Sequence, residues 1–363
     1  MGCAGRLSLL MAGALVALAS CSGATYSAET APKIYNGGKV YFVSPEGSDK
    51  NSGLSAEKPL KHIKEALEKA QPGDTVILLP GVYREKVKTV RDGLPGKPIT
   101  VIGAPEAVIV GNNKPGGRVI EVKNSYINLL HIKVNGKFLN CEKRECYHDK
   151  LIYVHGAPKK PLKGIKILAA NLKNALGECL RLKYVTDSEV GWSSISHCGL
   201  RDYLFNRGKQ NGEGIYVGTA PEQDKGHPDR TSRIYIHHNV IATYGAECVD
   251  VKENSTDVVI EDNVCLMSKQ ETSGGISIRG NANTIAGNIV FLNLGAGIRL
   301  GGDSEKTGIL NRVYNNYLES NRKASLKIMR EPQGRMCGNV TRDKKPVYPA
   351  EERFRRAFEP CDK

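Results

Sequence analysis

Through the middle of the chain, short runs of alternating apolar and polar residues recur: GECLRL at 177–182, GEGIYV at 212–217, AECVDV at 246–251, SGGISI at 273–278 and GAGIRL at 295–300. Alternation with period two is the pattern of a strand that buries one face. A second series, IHHNVI, IEDNVC, IAGNIV and VYNNYL, places Asn239, Asn263, Asn288 and Asn316 at intervals of 24, 25 and 28 residues. Two strand types therefore alternate within one repeating unit. A unit this small cannot bury its apolar face alone, so successive units must stack. The pattern predicts an all-β chain wound as a right-handed parallel β-helix, its coils about 4.8 Å apart, with turn asparagines bonding from coil to coil. Leucine-rich repeats share the period, but their LxxLxLxxN pattern is absent, and propeller blades need about 40 residues each.

The flanks fit a solenoid with covered ends. Val40-Tyr41-Phe42-Val43 reads as a strand and SPEGSDKNSG as a turn cluster, within which Asp49 to Gly53 is a turn rather than a calcium loop. Helical spacing of Leu60, Ile63, Ala66 and Leu67 within 59–71 predicts an N-terminal capping helix. The β-helix domain is expected over 39–343, with a departing tail or cap over 344–363. Residues 1–20 are a leader: Arg6 and then an apolar run too short for a membrane span, ending in small residues. Leu18-Ala19-Ser20-Cys21 resembles a bacterial lipobox, which implies lipidation at Cys21, a linker over 21–38, and a lipid anchor as the sole membrane attachment. The alternative is ordinary cleavage near Ala24 or Ala28; either way the protein is expected to be exported, anchored or secreted. Eight cysteines remain beyond Cys3 and Cys21, an even number in a compartment that permits disulfides. Local pairs such as Cys141 with Cys146 and Cys337 with Cys361 are the simplest staples.

Composition adds two constraints. Aromatic residues make up 6% of the chain and glycines number 39, which suits many short strands and turns. The formal charge of +14 draws polyanions. Export and the lack of an aromatic-basic module argue against nucleic acid, leaving an acidic polysaccharide bound by a monomer.

Stacking the repeats aligns their outward residues. One column reads Arg181, Tyr216, Asp250, Ser277, Arg299; the next reads Lys183, Gly218, Lys252, Arg279, Gly301; at the leading edge Glu178, Glu213 and Glu247 form a third. Outward charges on a sheet are ordinarily solvated cross-strand pairs worth roughly 0.2–1 kcal/mol. Stacked like charges, however, are destabilising. A cation such as calcium among Glu213, Glu247 and Asp250 would relieve the glutamate column, and an anionic substrate would relieve Lys252 beside Arg279. A lysine next to an arginine is also expected to have a lowered pKa and so to serve as a base near neutrality. These are the parts needed for β-elimination on a uronic acid. Clustered cations would equally serve a non-catalytic glycan binder.

The stretch YFVSPEGSDKNSGLSAEKPLKHIKEALEKAQPGDTVILLPGVYREKV resembles the start of secreted pectate-lyase-like β-helix proteins. At the charged strands the chain resembles the chondroitinase B and alginate lyase family, distantly. Glu247 and Lys252 keep that family's five-residue spacing, Arg279 in ISIRGN lies one coil on, and AGIRLGG follows with Arg299. The resemblance implies Lys252 as base, Arg279 as acid or charge stabiliser and Glu247 as a calcium ligand; Arg299, Arg181, Lys183 and Tyr216 of the outward columns are expected to contact substrate. Gly245 stands where the family has a second acidic ligand, Glu213 where it has an asparagine, and Gly280 where it often has histidine. Polygalacturonase aspartate motifs are missing. Glu253 with Asp257 is an alternative carboxylate pair for a glycosidase. His227-Pro228-Asp229-Arg230, in the long loop 219–231, shares residues but not order with an epimerase motif; His237 and His238 read as structural or exposed rather than as metal ligands. The insertions at 139–149, 199–211 and 219–231 are expected to wall a groove over the charged columns.

Overall fold

The computed structural model describes residues 37–206 and 211–361. Residues 1–36, on which the expected leader and the expected lipidation of Cys21 fall, lie outside the described residues.

Among the described residues, three parallel sheets of twelve, ten and ten strands run the length of the chain. The first extends from Val40–Val43 to Met336–Cys337, the second from Gly81–Tyr83 to Val340–Thr341, and the third from Val87–Lys88 to Val347–Tyr348. Ten coils each contribute one strand to each sheet, the first sheet adding Val40–Val43 ahead of them and Leu162–Lys163 at its side; strands pair with their counterparts in the adjacent coils, as Val249–Val251 does with Ile215–Val217 and with Ile276 to Ile278. Alternation then decides burial. Val249, Val251, Ile276 and Ile278 of the third sheet face inward against Ile236, Ile260 and Ile285 of the first and Ile241, Val290 and Leu318 of the second, all fully buried in one continuous core.

The turn asparagines do what their spacing predicts. Asn239 Nδ2 donates to Asn263 Oδ1 at 2.9 Å, Asn263 to Asn288 at 3.0 Å, Asn288 to Asn316 at 2.9 Å, and the ladder continues to Asn339 at 2.9 Å. Each also donates to backbone carbonyls, as Asn263 does to Ile236 and Glu261. Buried amides are thereby satisfied in full, which is the condition for burying them at all.

A helix forms over Ile63–Lys69, shorter than its apolar spacing suggests, and buries Ile63, Ala66 and Leu67 in the main core. The tail adds the last strand of the third sheet, then a short helix at Glu352–Arg355 whose Phe354 joins the core. All eight cysteines of the described residues pair: Cys141 with Cys146, Cys179 with Cys198, Cys248 with Cys265 and Cys337 with Cys361. All four join cysteines consecutive in the sequence, 5, 19, 17 and 24 residues apart; the first and last are the pairs named from the sequence, and the middle two join strands of the second and third sheets or the turns beside them.

Candidate active site

The register of the third sheet sets the site. Arg181 pairs with Tyr216, Tyr216 with Asp250, Asp250 with Ser277 and Ser277 with Arg299, so the first predicted column exists residue for residue. It extends to Tyr153 before Arg181 and to Lys327 and Tyr348 after Arg299. In the next column the amides of Gly218, Lys252, Arg279 and Gly301 bond the carbonyls of Leu182, Val217, Val251 and Ile278, which aligns them with Lys183.

These outward residues are not solvated. Asp250 is 1% exposed and Lys252 8%, and Glu213, Glu247, Arg181, Tyr216 and Arg299 are also buried. The expectation of a wet, charged sheet face is therefore corrected: side chains of adjacent coils cover one another, and the insertions add to the cover. Tyr203, on the short helix Leu200–Tyr203, has its pKa raised by burial and by the charges of Glu247 and Glu213. The insertion at 139–149 packs Cys146 and Tyr147 against Leu176 and Leu200. The loop 219–231 is pinned from within, since Asp229 accepts from Thr219 and Thr231 and from the Tyr184 amide. Asp229 is thus a structural anchor, while His227, Pro228 and Arg230 beside it are exposed.

Asp250 is the hub. Lys252 Nζ lies 2.7 Å from its Oδ2 and Arg279 Nε 3.5 Å from its Oδ1. Arg279 also reaches Glu253 at 3.8 Å and Asp303 at 3.2 Å. Burial alone would pull the Lys252 ammonium down, but the ion pair with Asp250 outweighs it and holds the pKa above the ordinary lysine value. The expected neutral lysine is therefore corrected: Arg279 does lower it, yet the nearer Asp250 dominates. Depressed lysines do occur at the edges of the columns, Lys183 through burial and Arg181, and Lys327 through burial and Arg299.

Beside the hub, ligand oxygens of Glu213, Glu247 and Asp250 all lie within 4.8 Å of one another. Burial, then Glu178 and Glu247, push Glu213 up to about 8, and burial and Asp250 raise Glu247. Glu178, the third glutamate of the column, is instead neutralised by Lys150 and Arg181 and stays low despite its burial. Three buried carboxylates offering oxygen alone, with Asp250 Oδ1 lacking a hydrogen-bond donor, are chemically suited to a hard cation. Tyr216 sits between Arg181, 4.4 Å from its ring centroid, and Lys252, 4.7 Å away. Arg299 donates to Ser277 Oγ at 3.2 Å.

Two departures from the lyase pattern have a steric cause. A Cβ on Gly245 would stand 1.9 Å from the Cys198 carbonyl oxygen, and one on Gly280 would stand 2.0 Å from that of Ser255. Neither an acidic ligand nor a histidine fits there. The proposed pair Glu253 and Asp257 is split: Glu253 is buried under Arg279 and Asp257 is exposed. His237 is buried and bonded to Glu189, as a structural histidine should be. Sequence reasoning missed Glu253 and Asp303 as partners of Arg279, because both follow strand ends where alternation stops reporting direction. It also missed Tyr153, although its place opposite Arg181 follows from setting LIYV (151–154) beside CLRL (179–182).

No family model matches the chain. A 63-residue segment is 44% identical to the uncharacterized protein YwoF of Bacillus subtilis, spanning 17% of this chain and only 13% of that relative's length. Among solved structures, the chain is similar to an alginate lyase from Paenibacillus sp. str. FPU-7, with a TM-score of 0.64 and 19% identity over 78% of this chain and 94% of the other. It is also similar to a polygalacturonase from Erwinia carotovora ssp. carotovora, TM-score 0.56 and 12% identity over 85% and 88%, and to the pectate lyase Pel9A, TM-score 0.50 and 15% identity over 86% and 82%. Likeness at such identities speaks for architecture, and with the three parallel sheets it shows that the chain has the parallel β-helix fold.

Proposed function

We propose that the protein is an exported polysaccharide lyase that cleaves a uronate-containing polysaccharide by β-elimination. The observation that carries this reading is the convergence of Lys252, Arg279 and the carboxylates Glu213, Glu247 and Asp250 on one buried spot of the third sheet. Elimination removes the proton at C5 of a uronate, forms the C4–C5 double bond and expels the C4 oxygen, so it needs positive charge against the uronate carboxylate, a base for the C5 proton, and a proton from that base or from water for the departing oxygen. Arg279 and Arg299 supply fixed guanidinium charge for the first task. Calcium, held by Glu213, Glu247 and Asp250, would add charge against the uronate carboxylate and against the grip of Asp250 on the Lys252 proton. Lys252, once freed from Asp250 and beside Arg279, is the base; Arg181, Lys183 and Tyr216 would hold the sugar on the preceding coils.

Four disulfides support export, and we read Cys21 as the anchor. The burial of Ile63, Ala66 and Leu67 supports the helix Ile63–Lys69 as cover for the first coils.

A second reading, a glycoside hydrolase, is favoured by one observation: Glu213 is buried within reach of Glu247 and Asp250, which pushes its carboxyl up to about 8, the direction a general acid needs. Ultraviolet absorbance of the unsaturated product, followed on alginate, polygalacturonate and chondroitin sulfate with calcium and with chelator, separates the two. A rise on one substrate names it and supports the lyase. New reducing ends without absorbance favour the hydrolase, and binding without any product leaves a glycan-binding protein.

A further inference from the structure

The column that carries Asp250 and Arg299 does not stop at the proposed catalytic spot. It runs on to Lys327 and Tyr348 in the last two coils. There a cavity of about 370 Å³ opens, lined by Lys323, Lys327, Lys345 and Tyr348 together with Thr272 and Glu271. Among the described residues no carboxylate lies within ion-pairing distance of these three lysines; Glu271 instead approaches Arg322, at 3.8 Å. Lys327 is half-buried, donates to the Thr272 carbonyl at 2.7 Å, and has its pKa lowered by burial, then Arg299 and Lys323. Tyr348 holds its ring in solvent, 58% exposed, at the end of the column.

Like charges gathered round one cavity repel, and an exposed aromatic ring gains nothing by facing water. Both features make sense if something anionic with an apolar face lies across them. A sugar ring carrying a carboxylate has both. We infer that Lys323, Lys327 and Lys345 with Tyr348 form a distal subsite for a uronate unit of the same polymer that the proposed active site takes. This rests on the lyase reading for its ligand, though not for its geometry. Tyr348 is four strands from Asp250, which at about 4.8 Å per strand is roughly 19 Å. The polymer would therefore lie along the solenoid axis towards the C-terminal coils, several units long, and the tail that supplies Lys345 and Tyr348 becomes part of the binding surface.

The test is equilibrium binding of alginate, polygalacturonate and chondroitin sulfate, each as polymer and as a size series, to the whole protein and to a Lys327→Ala/Lys345→Ala variant with an unchanged melting curve. The expected result is at least a tenfold loss of polymer affinity that shrinks as the chain is shortened below the span of the column, and recovery in the Lys327→Arg/Lys345→Arg protein. Should the alanine pair melt early, Tyr348→Ala, whose side chain is exposed, is read in the same way. Unchanged affinity at every length overturns the subsite even if the wild type turns substrate over. Wild-type binding without product, lost in the variant, overturns the lyase and supports the subsite. Failure of the wild type to bind any of the three polymers overturns both.

Discussion

The asparagine ladder and the glutamate column are built by the same operation and end in opposite states. Each repeats one polar residue on successive coils and buries it. An amide both donates and accepts, so Asn239, Asn263, Asn288, Asn316 and Asn339 satisfy one another indefinitely. An ionised carboxylate only accepts, so Glu213 and Glu247 cannot, and they retain protons into the range where free carboxyls are ionised. A solenoid amplifies whatever it stacks. Self-complementary groups make a spine, and groups of one sign raise one another's pKa unless an opposite charge stands beside them, as Lys150 and Arg181 do beside Glu178.

The comparison is broken most forcefully at Glu213. Its carboxyl is raised from the ordinary 4.5 to about 8, so its contribution to stability is present in full below about pH 4.5 and is lost as pH rises through 8. At about 1.4 kcal/mol per unit the loss amounts to several kcal/mol. In chelator-treated protein the unfolding midpoint should therefore fall from acid to alkaline pH, Glu213→Gln should flatten that fall, and added calcium should restore the wild type but not the variant. A midpoint independent of pH would remove Glu213 from the account.

Next in size is Lys252→Ala. It strips the 2.7 Å partner from a carboxylate that is 1% exposed, and breaking a buried pair costs about 3–5 kcal/mol. Turnover should disappear as well. The double variant Lys252→Ala/Asp250→Asn should regain much of the stability and none of the turnover, which separates the structural task of Lys252 from its chemical one. Asn263→Ala is expected to cost about 3 kcal/mol, since it leaves the Asn239 amide and the carbonyls of Ile236 and Glu261 without their partner. At a temperature where that variant is folded, its activity should match the wild type.

Much of this was legible in advance because period-two alternation and fixed repeat length determine register, and register determines columns. Given AECVDV beside GEGIYV, Asp250 had to lie beside Tyr216, and Glu247 beside Glu213. What alternation does not encode is cover. Nothing in DVK says that Tyr203, brought in by an insertion, packs near the glutamates, or that Asp250 lies closer to Lys252 than Arg279 does, and the direction of the lysine shift turned on that. The empty positions at Gly245 and Gly280 were visible as departures from a pattern. Their cause, a carbonyl oxygen of another coil about 2 Å from the missing Cβ, is a tertiary fact.

The smallest effect sharpens the comparison by holding the chemistry and changing the burial. Arg233 meets Asp187 across adjacent coils of the first sheet with Nε 2.6 Å from Oδ1 and Nη2 3.0 Å from Oδ2, a better fork than any made to Asp250. Both side chains are about half exposed. Water already solvates each charge, so the pair gains little and loses rotamer freedom in forming. Arg233→Ala should cost under about 1 kcal/mol at low salt and nothing measurable at high salt, while the cost of Lys252→Ala should persist in the same buffers. If the two losses proved equal, burial could not be what makes the Asp250 cluster a site.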